Sequence, residues 1–155
     1  MARLGKAYQV NVTSWEAVKE AVDAAVKEFN GRLDIFVANS GIAWEQGPML
    51  DGGLDHYRQV SATNLDGTFY SARAAGLHFR RQKKEGTTID GKKLEGFTYG
   101  SFIATASMSG LIANIPQLQS AYNASKAGVI HMCKCDPLDV MDAKPRGIQT
   151  GICED

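Results

Sequence analysis

The sequence predicts an α/β fold with a parallel sheet, and three observations point there. Leu33-Asp34-Ile35-Phe36-Val37-Ala38 is a nearly continuous apolar run, the pattern of a strand covered on both faces. Ser101-Phe102-Ile103-Ala104-Thr105-Ala106 is a second such run. Segments of helical periodicity precede, separate and follow them, and strands alternating with helices imply parallel pairing.

Taken in order, Lys6 to Val12 reads as a short strand. Thr13-Ser14-Trp15-Glu16 supplies a capping box for a helix whose apolar face is Trp15, Val18, Val22, Val26 and Phe29, and Asn30-Gly31 ends it. The strand at Leu33 runs directly into Asn39-Ser40-Gly41 and then a loop to about Gly53. From Leu54 to about Lys84 the spacing of Tyr57, Val60, Leu65, Phe69 and Ala72 predicts helix in two pieces. A polar, glycine-rich connection from Gly86 to Gly100 leads to the strand at Ser101. After a loop through Pro116, a last amphipathic helix spans about Ser120 to Cys133.

Composition narrows the function. The chain has 155 residues, 44% apolar, which suits one domain with a real core. Seventeen basic residues balance seventeen acidic ones, so no global field draws the protein to nucleic acid or an anionic membrane. The basic cluster Arg80-Arg81-Gln82-Lys83-Lys84 has no interleaved aromatics to stack bases and reads as a solvated helix end. A small neutral molecule fits better as partner. Cys133, Cys135 and Cys153 form neither a paired framework nor a zinc knuckle, which favours a reducing, cytoplasmic setting and no metal. No signal-peptide core or membrane-length apolar run is present in the sequence.

Two nucleotide motifs fail on inspection. Gly86-Thr-Thr-Ile-Asp-Gly-Lys-Lys93 nearly spells a phosphate-binding loop, but a lysine stands where a hydroxyl would ligate magnesium, and the segment neither follows a strand nor opens a helix. Between Met1 and Phe29 the only glycine is Gly5, so that stretch lacks the turn that admits a pyrophosphate to a helix N-terminus. No G-x-S-x-G surrounds any serine. The spacing of Tyr122 and Lys126 is more productive: four residues apart, they share a helix face. A free tyrosine, with a pKa of about 10, is a poor acid or base at neutral pH, and a fixed positive charge nearby favours its phenolate.

Four segments occur in an order that resembles the short-chain dehydrogenase/reductases: Val37-Ala38-Asn39-Ser40-Gly41-Ile42, Thr63-Asn64-Leu65-Asp66-Gly67-Thr68-Phe69, Thr105-Ala106-Ser107-Met108-Ser109-Gly110 and Tyr122-Asn123-Ala124-Ser125-Lys126. The wording of Ala38 to Gly52 and Thr105 to Lys134 is similar to fungal mannitol dehydrogenases and sorbose or xylulose reductases. The resemblance implies a partial Rossmann-type doubly wound parallel sheet, hydride transfer between NADP(H), or NAD, and a polyol/ketose pair, and homo-oligomeric full-length relatives. It implies that Tyr122 exchanges a proton with the substrate oxygen. Lys126 would assist it and hold the nicotinamide ribose; Ser107 would polarise the carbonyl, with Ser109 the lesser claimant. Asn64 would hold a relay water, while Asn39, Ser40 and Gly41 would line the cofactor and Asn11 would stand near the adenine.

The likeness covers roughly residues 6 to 134, so residues 1–134 are expected to form a single truncated dinucleotide-binding domain and 135–155 a non-matching tail. In a doubly wound sheet of order 3-2-1-4-5-6, two strands lie between those expected at Lys6 and Leu33. The literal chain is therefore expected to have open apolar edges and marginal stability. A non-catalytic, reductase-like protein that binds no dinucleotide stands as the alternative reading.

Overall fold

A computed structural model describes residues 5–134, and the tail expected over 135–155 lies outside the described residues. Helix α1 spans Trp15–Glu28, β1 Ile35–Ala38, α2 Leu54–Ser61, α3 Gly67–Glu85, β2 Ser101–Ala104 and α4 Ser120–Lys134. A π-helical segment, Ala62–Asp66, joins α2 to α3, and a 3₁₀ turn, Met108–Gly110, precedes α4. β1 and β2 pair in parallel, Ile35 opposite Ser101 through Ala38 opposite Ala104, with α2 and α3 forming the crossover. The described part has the predicted α/β class and parallel pairing.

The start of α1 lies one residue later than the capping box predicts. Ser14 is the cap, its Oγ accepting from the Ala17 amide at 3.2 Å, and it also donates to Glu16 at 3.3 Å. Val18, Val22 and Val26 are buried against Ala74 of α3, with Trp15, Leu33 and Phe36 at the margin. Full burial of each valine contributes roughly 1.5 kcal/mol or more. Asn30 and Gly31 both take positive φ, 66° and 69°, and turn the chain out of the helix as their pairing predicts.

The segment from Lys6 to Val12 is not a strand. A strand is a property of a ladder, and among the described residues only β1 and β2 form one. The segment instead runs beside α1, where Lys6 pairs with Glu28 and the Tyr8 hydroxyl donates to the same carboxylate at 3.0 Å. Its end crosses α3 closely: a Cβ on Gly67 would lie 3.1 Å from the Val12 carbonyl oxygen.

β1 also differs from its apolar pattern. Phe36 stacks on Phe102, with ring centres 5.9 Å apart, and Ala38 is buried, but Ile35 and Val37 remain 62% and 55% exposed. Only one face of the strand is covered, and its edge away from β2 has no neighbouring strand among the described residues. The start of β1 is held by a side chain: Gln82 of α3, fully buried, accepts from the Leu33 amide at 2.6 Å and donates to the Leu33 carbonyl at 2.7 Å.

The glycine-rich segment after α3 folds into a tight turn, with Thr87 bridged to Lys93 and the Lys92 amide donating to Thr88 Oγ1 at 3.1 Å. It opens no helix, in keeping with a connecting loop. No helix among the described residues is long and apolar enough to cross a membrane.

Candidate active site

The C-terminal ends of β1 and β2, the π-helical segment and the first two turns of α4 converge on one small region. Asn39, just past β1, accepts from Thr105 Oγ1 at 2.7 Å, and the Thr105 amide donates to the Ala38 carbonyl at 2.9 Å, so the two strand ends are tied together. The Thr105 carbonyl points to α4 and accepts from Lys126 Nζ at 2.8 Å.

Lys126 is 4% exposed, and its ammonium lies 5.6 Å from the centre of the Tyr122 ring. Burial pushes the Lys126 ammonium below the ordinary lysine pKa, because the charged form is the one that loses hydration. Tyr122 is half-buried, packed against the cluster of Trp44, Val60 and Ala121. One helical turn thus gives phenol and ammonium a common face, as their spacing predicts.

Asn64 sits in the π-helical segment with no exposed surface. Its Oδ1 accepts from the Ile42 amide at 2.8 Å, and its Nδ2 donates to the Ile42 carbonyl and to Ser125 Oγ, both at 3.0 Å. Ser125 passes the connection on by donating to the Tyr122 carbonyl at 2.7 Å. Asn64 therefore clamps the loop after β1 to the helix that carries the tyrosine and lysine. Gly41 lies in that loop: a Cβ there would be 3.3 Å from Asn64 Oδ1 and 3.4 Å from Lys126 Nζ. Its bare, exposed backbone leaves a small cradle beside the ammonium.

Ser107 caps the 3₁₀ turn, its Oγ accepting from the Ser109 amide at 3.1 Å, which leaves the hydroxyl proton available to donate elsewhere. Ser109 has a different environment. It is buried, and its Oγ already accepts from Asn114 Nδ2 and Gln119 Nε2, both at 2.9 Å. Of the two serines, Ser107 is the one with an accessible hydroxyl.

Asn39, Ser40 and Gly41 are all exposed at the end of β1. A cavity of about 360 Å³ runs from Asn39 and Ser40 past Phe36 to Tyr8, Val10 and Val12. Asn11 is not drawn into the cluster around Lys126. It is exposed, and its Oδ1 accepts from the amide and the hydroxyl of Thr13 at 3.1 and 2.8 Å, forming a local turn ahead of α1.

Sequence reasoning passed over four participants: Thr105, whose carbonyl holds the lysine; Ser125; Gln119; and Gly110. Ser125 alone had a readable signal, since a hydroxyl three residues after Tyr122 lies on the same helix face. Among the described residues no group of three or more His, Cys, Asp or Glu could hold a metal ion.

A tyrosine and a buried lysine one turn apart, a serine at the end of the neighbouring strand and an asparagine behind them were the features that resembled one family, and comparison with known proteins bears the resemblance out. The family model described as enoyl-(acyl carrier protein) reductase matches residues 2–146. The chain belongs to the short-chain dehydrogenase/reductase family.

Relatives of this family narrow the likeness. The chain is 64% identical over 129 residues to an L-xylulose reductase of Hypocrea jecorina, a match covering 83% of this chain and 45% of that protein. It is 37% identical over 155 residues to an NADP-dependent mannitol dehydrogenase of Alternaria alternata, covering 96% and 52%. The crystal structure of an NADPH-dependent 3-quinuclidinone reductase from Rhodotorula rubra superposes with a TM-score of 0.69 at 39% identity, over 85% of this chain and 44% of that one. The fold is accordingly of the Rossmann type. The chain spans about half the length of the curated relatives it matches.

Proposed function

We propose that this chain carries the proton-transfer and nicotinamide-side machinery of an NADP(H)-preferring short-chain reductase acting on a ketose or the corresponding polyol. The observation that carries the reading is Lys126: a buried ammonium that gives one hydrogen bond to the Thr105 carbonyl, faces the Tyr122 ring at 5.6 Å and borders the bare backbone of Gly41. Burying a lysine without a carboxylate is costly, and such an arrangement suits a site that uses the charge.

The residues fit the nicotinamide half of the cofactor. Gly41 offers a cradle that a Cβ would fill, Asn39 and Ser40 expose polar groups beside it, and Lys126 Nζ has further N–H donors for ribose hydroxyls. The bound nicotinamide supplies or accepts the hydride. Tyr122 gives its phenolic proton to the carbonyl oxygen in reduction and takes it back in oxidation. The Lys126 charge favours the negative charge that develops on the phenol oxygen. Ser107, its oxygen satisfied by the Ser109 amide, directs its proton at the same substrate oxygen. Asn64 keeps loop and helix in register, and the relay-water role implied for it belongs to this reading. The names of the xylulose reductase and mannitol dehydrogenase relatives support a sugar or polyol substrate, and those of the mannitol dehydrogenase and quinuclidinone reductase support NADP.

The test follows NADPH absorbance with a panel of ketoses and, separately, NADPH binding by fluorescence. Turnover that disappears in Tyr122→Phe while binding is retained supports the reading. No turnover and no binding in the parent chain overturns it.

A further inference from the structure

The 3₁₀ turn at Met108–Gly110 makes closer contact with α4 than a passing loop requires. A Cβ on Gly110 would lie 2.7 Å from the backbone carbon of Lys126 and 2.8 Å from the Ala127 nitrogen, so bare backbone meets bare backbone at that point. A second attachment lies a few ångströms along the turn. Ser109, 6% exposed, accepts from Gln119 Nε2 and Asn114 Nδ2 at 2.9 Å each. Gln119 is itself buried and is the residue just before α4; its carbonyl accepts from the Asn123 amide at 2.9 Å and so defines the first turn, in which Tyr122 stands. In the other direction, the Ser109 amide donates to Ser107 Oγ at 3.1 Å.

One buried hydroxyl therefore lies between the two groups that the proposed reaction must hold on the same substrate oxygen. Its amide orients Ser107, and its oxygen is attached through Gln119 to the turn bearing Tyr122. We propose that Ser109 is a positioning residue of the reductase site, setting the hydroxyl of Ser107 in register with the phenol of Tyr122 without touching substrate itself. The proposal rests on the functional reading above. Its physical basis is that two donors aimed at one oxygen act together only in a narrow geometry, and a displacement of about 1 Å can cost on the order of a hundredfold in rate. Removing the Ser109 oxygen strands the buried amide donor of Gln119, takes a partner from half-buried Asn114 and frees the turn to drift from α4.

The experiment compares the full chain with Ser109→Ala and Ser109→Thr by turnover with NADPH and a ketose and by hydrogen exchange of individual amides. Ser109→Ala is expected to lose at least tenfold in kcat with the ketose KM within about twofold, as for an interaction realised only in the transition state. Exchange should quicken at the amides of residues 109 and 123 while those of Val129 and Ile130 stay protected. Ser109→Thr, which keeps the oxygen, should restore both. Unchanged exchange at the two amides, or a loss spread along the whole of α4, overturns the proposal, as does an unaltered kcat. A parent chain without turnover overturns the functional reading instead, and the exchange pattern then decides whether Ser109 holds the two segments in register.

Discussion

Asn64 donates through Nδ2 to Ser125 Oγ at 3.0 Å, joining the π-helical segment to α4 across 61 residues of chain. The same carboxamide exchanges two hydrogen bonds with the backbone of Ile42, so one side chain holds three elements together. An Asn64→Leu change keeps the branched shape of the side chain and removes every one of these bonds. Each buried polar group left without a partner costs about 1–3 kcal/mol, and Ile42 loses partners for both its amide and its carbonyl. The expected destabilisation is about 2–4 kcal/mol, read as a shift of the urea midpoint at unchanged slope. A loss under about 1 kcal/mol would show that the loop after β1 is held by something else.

Gly110 allows the approach of the 3₁₀ turn to α4. An alanine there puts a methyl group 2.7 Å from the carbon of a peptide unit, and a helix backbone has no side-chain rotamer with which to yield. The turn must lift, taking Ser107 with it. Gly110→Ala is expected to cost about 1–3 kcal/mol in stability and to lower turnover with a ketose at least tenfold. Normal turnover in a folded Gly110→Ala protein is the result that counts against this arrangement of Ser107 and Tyr122.

These two residues also mark what the sequence could convey. Tyr122 and Lys126 were legible because a helix turn places residues four apart on one face whatever the surroundings. β1 and β2 were legible as apolar runs, although the exposure of Ile35 and Val37 depends on what lies beside the strand, which a local pattern does not carry. Lys6 to Val12 has strand composition but no ladder in which to express it. The cap moved from Thr13 to Ser14 because Thr13 is drawn into the Asn11 turn, a competition between two adjacent hydroxyls that composition leaves open. The widening of the helix at Asn64 arises from packing between distant segments, and the meeting of Ser109 with Gln119, ten residues on, depends on how the loop between them folds, for which neither residue carries a periodic signal.

Gln82 gives a test of how the strand is positioned. With no exposed surface, it mimics a neighbouring strand by accepting from and donating to the backbone of Leu33. Gln82→Leu leaves that amide and carbonyl without partners just ahead of β1, with an expected loss of about 2–4 kcal/mol. Hydrogen exchange at the Leu33 amide should quicken with it. If that amide stays protected, water or another side chain replaces the glutamine and the assignment is wrong.

Lys126 predicts a dependence of stability on pH whose sign can be worked out. Burial lowers its pKa in the folded chain, while the unfolded chain keeps an ordinary lysine value of about 10.4. Between the lowered value and about 10.4 the unfolded state binds more protons, so the contribution of this group to stability rises with pH across that window. Below it the lysine is charged in both states, and the full cost of burying the charge is present. Lys126→Met lacks the titration. The stability of the parent relative to Lys126→Met should therefore increase on going from pH 7 towards pH 10, measured as paired thermal melts at matched ionic strength. Taking the difference between the two proteins cancels the lysines and tyrosines remote from this site, which titrate alike in both. A difference that stays flat over this range would mean that Lys126 keeps its ordinary affinity for the proton in the folded chain, and that the ammonium beside Tyr122 is better hydrated than its burial implies.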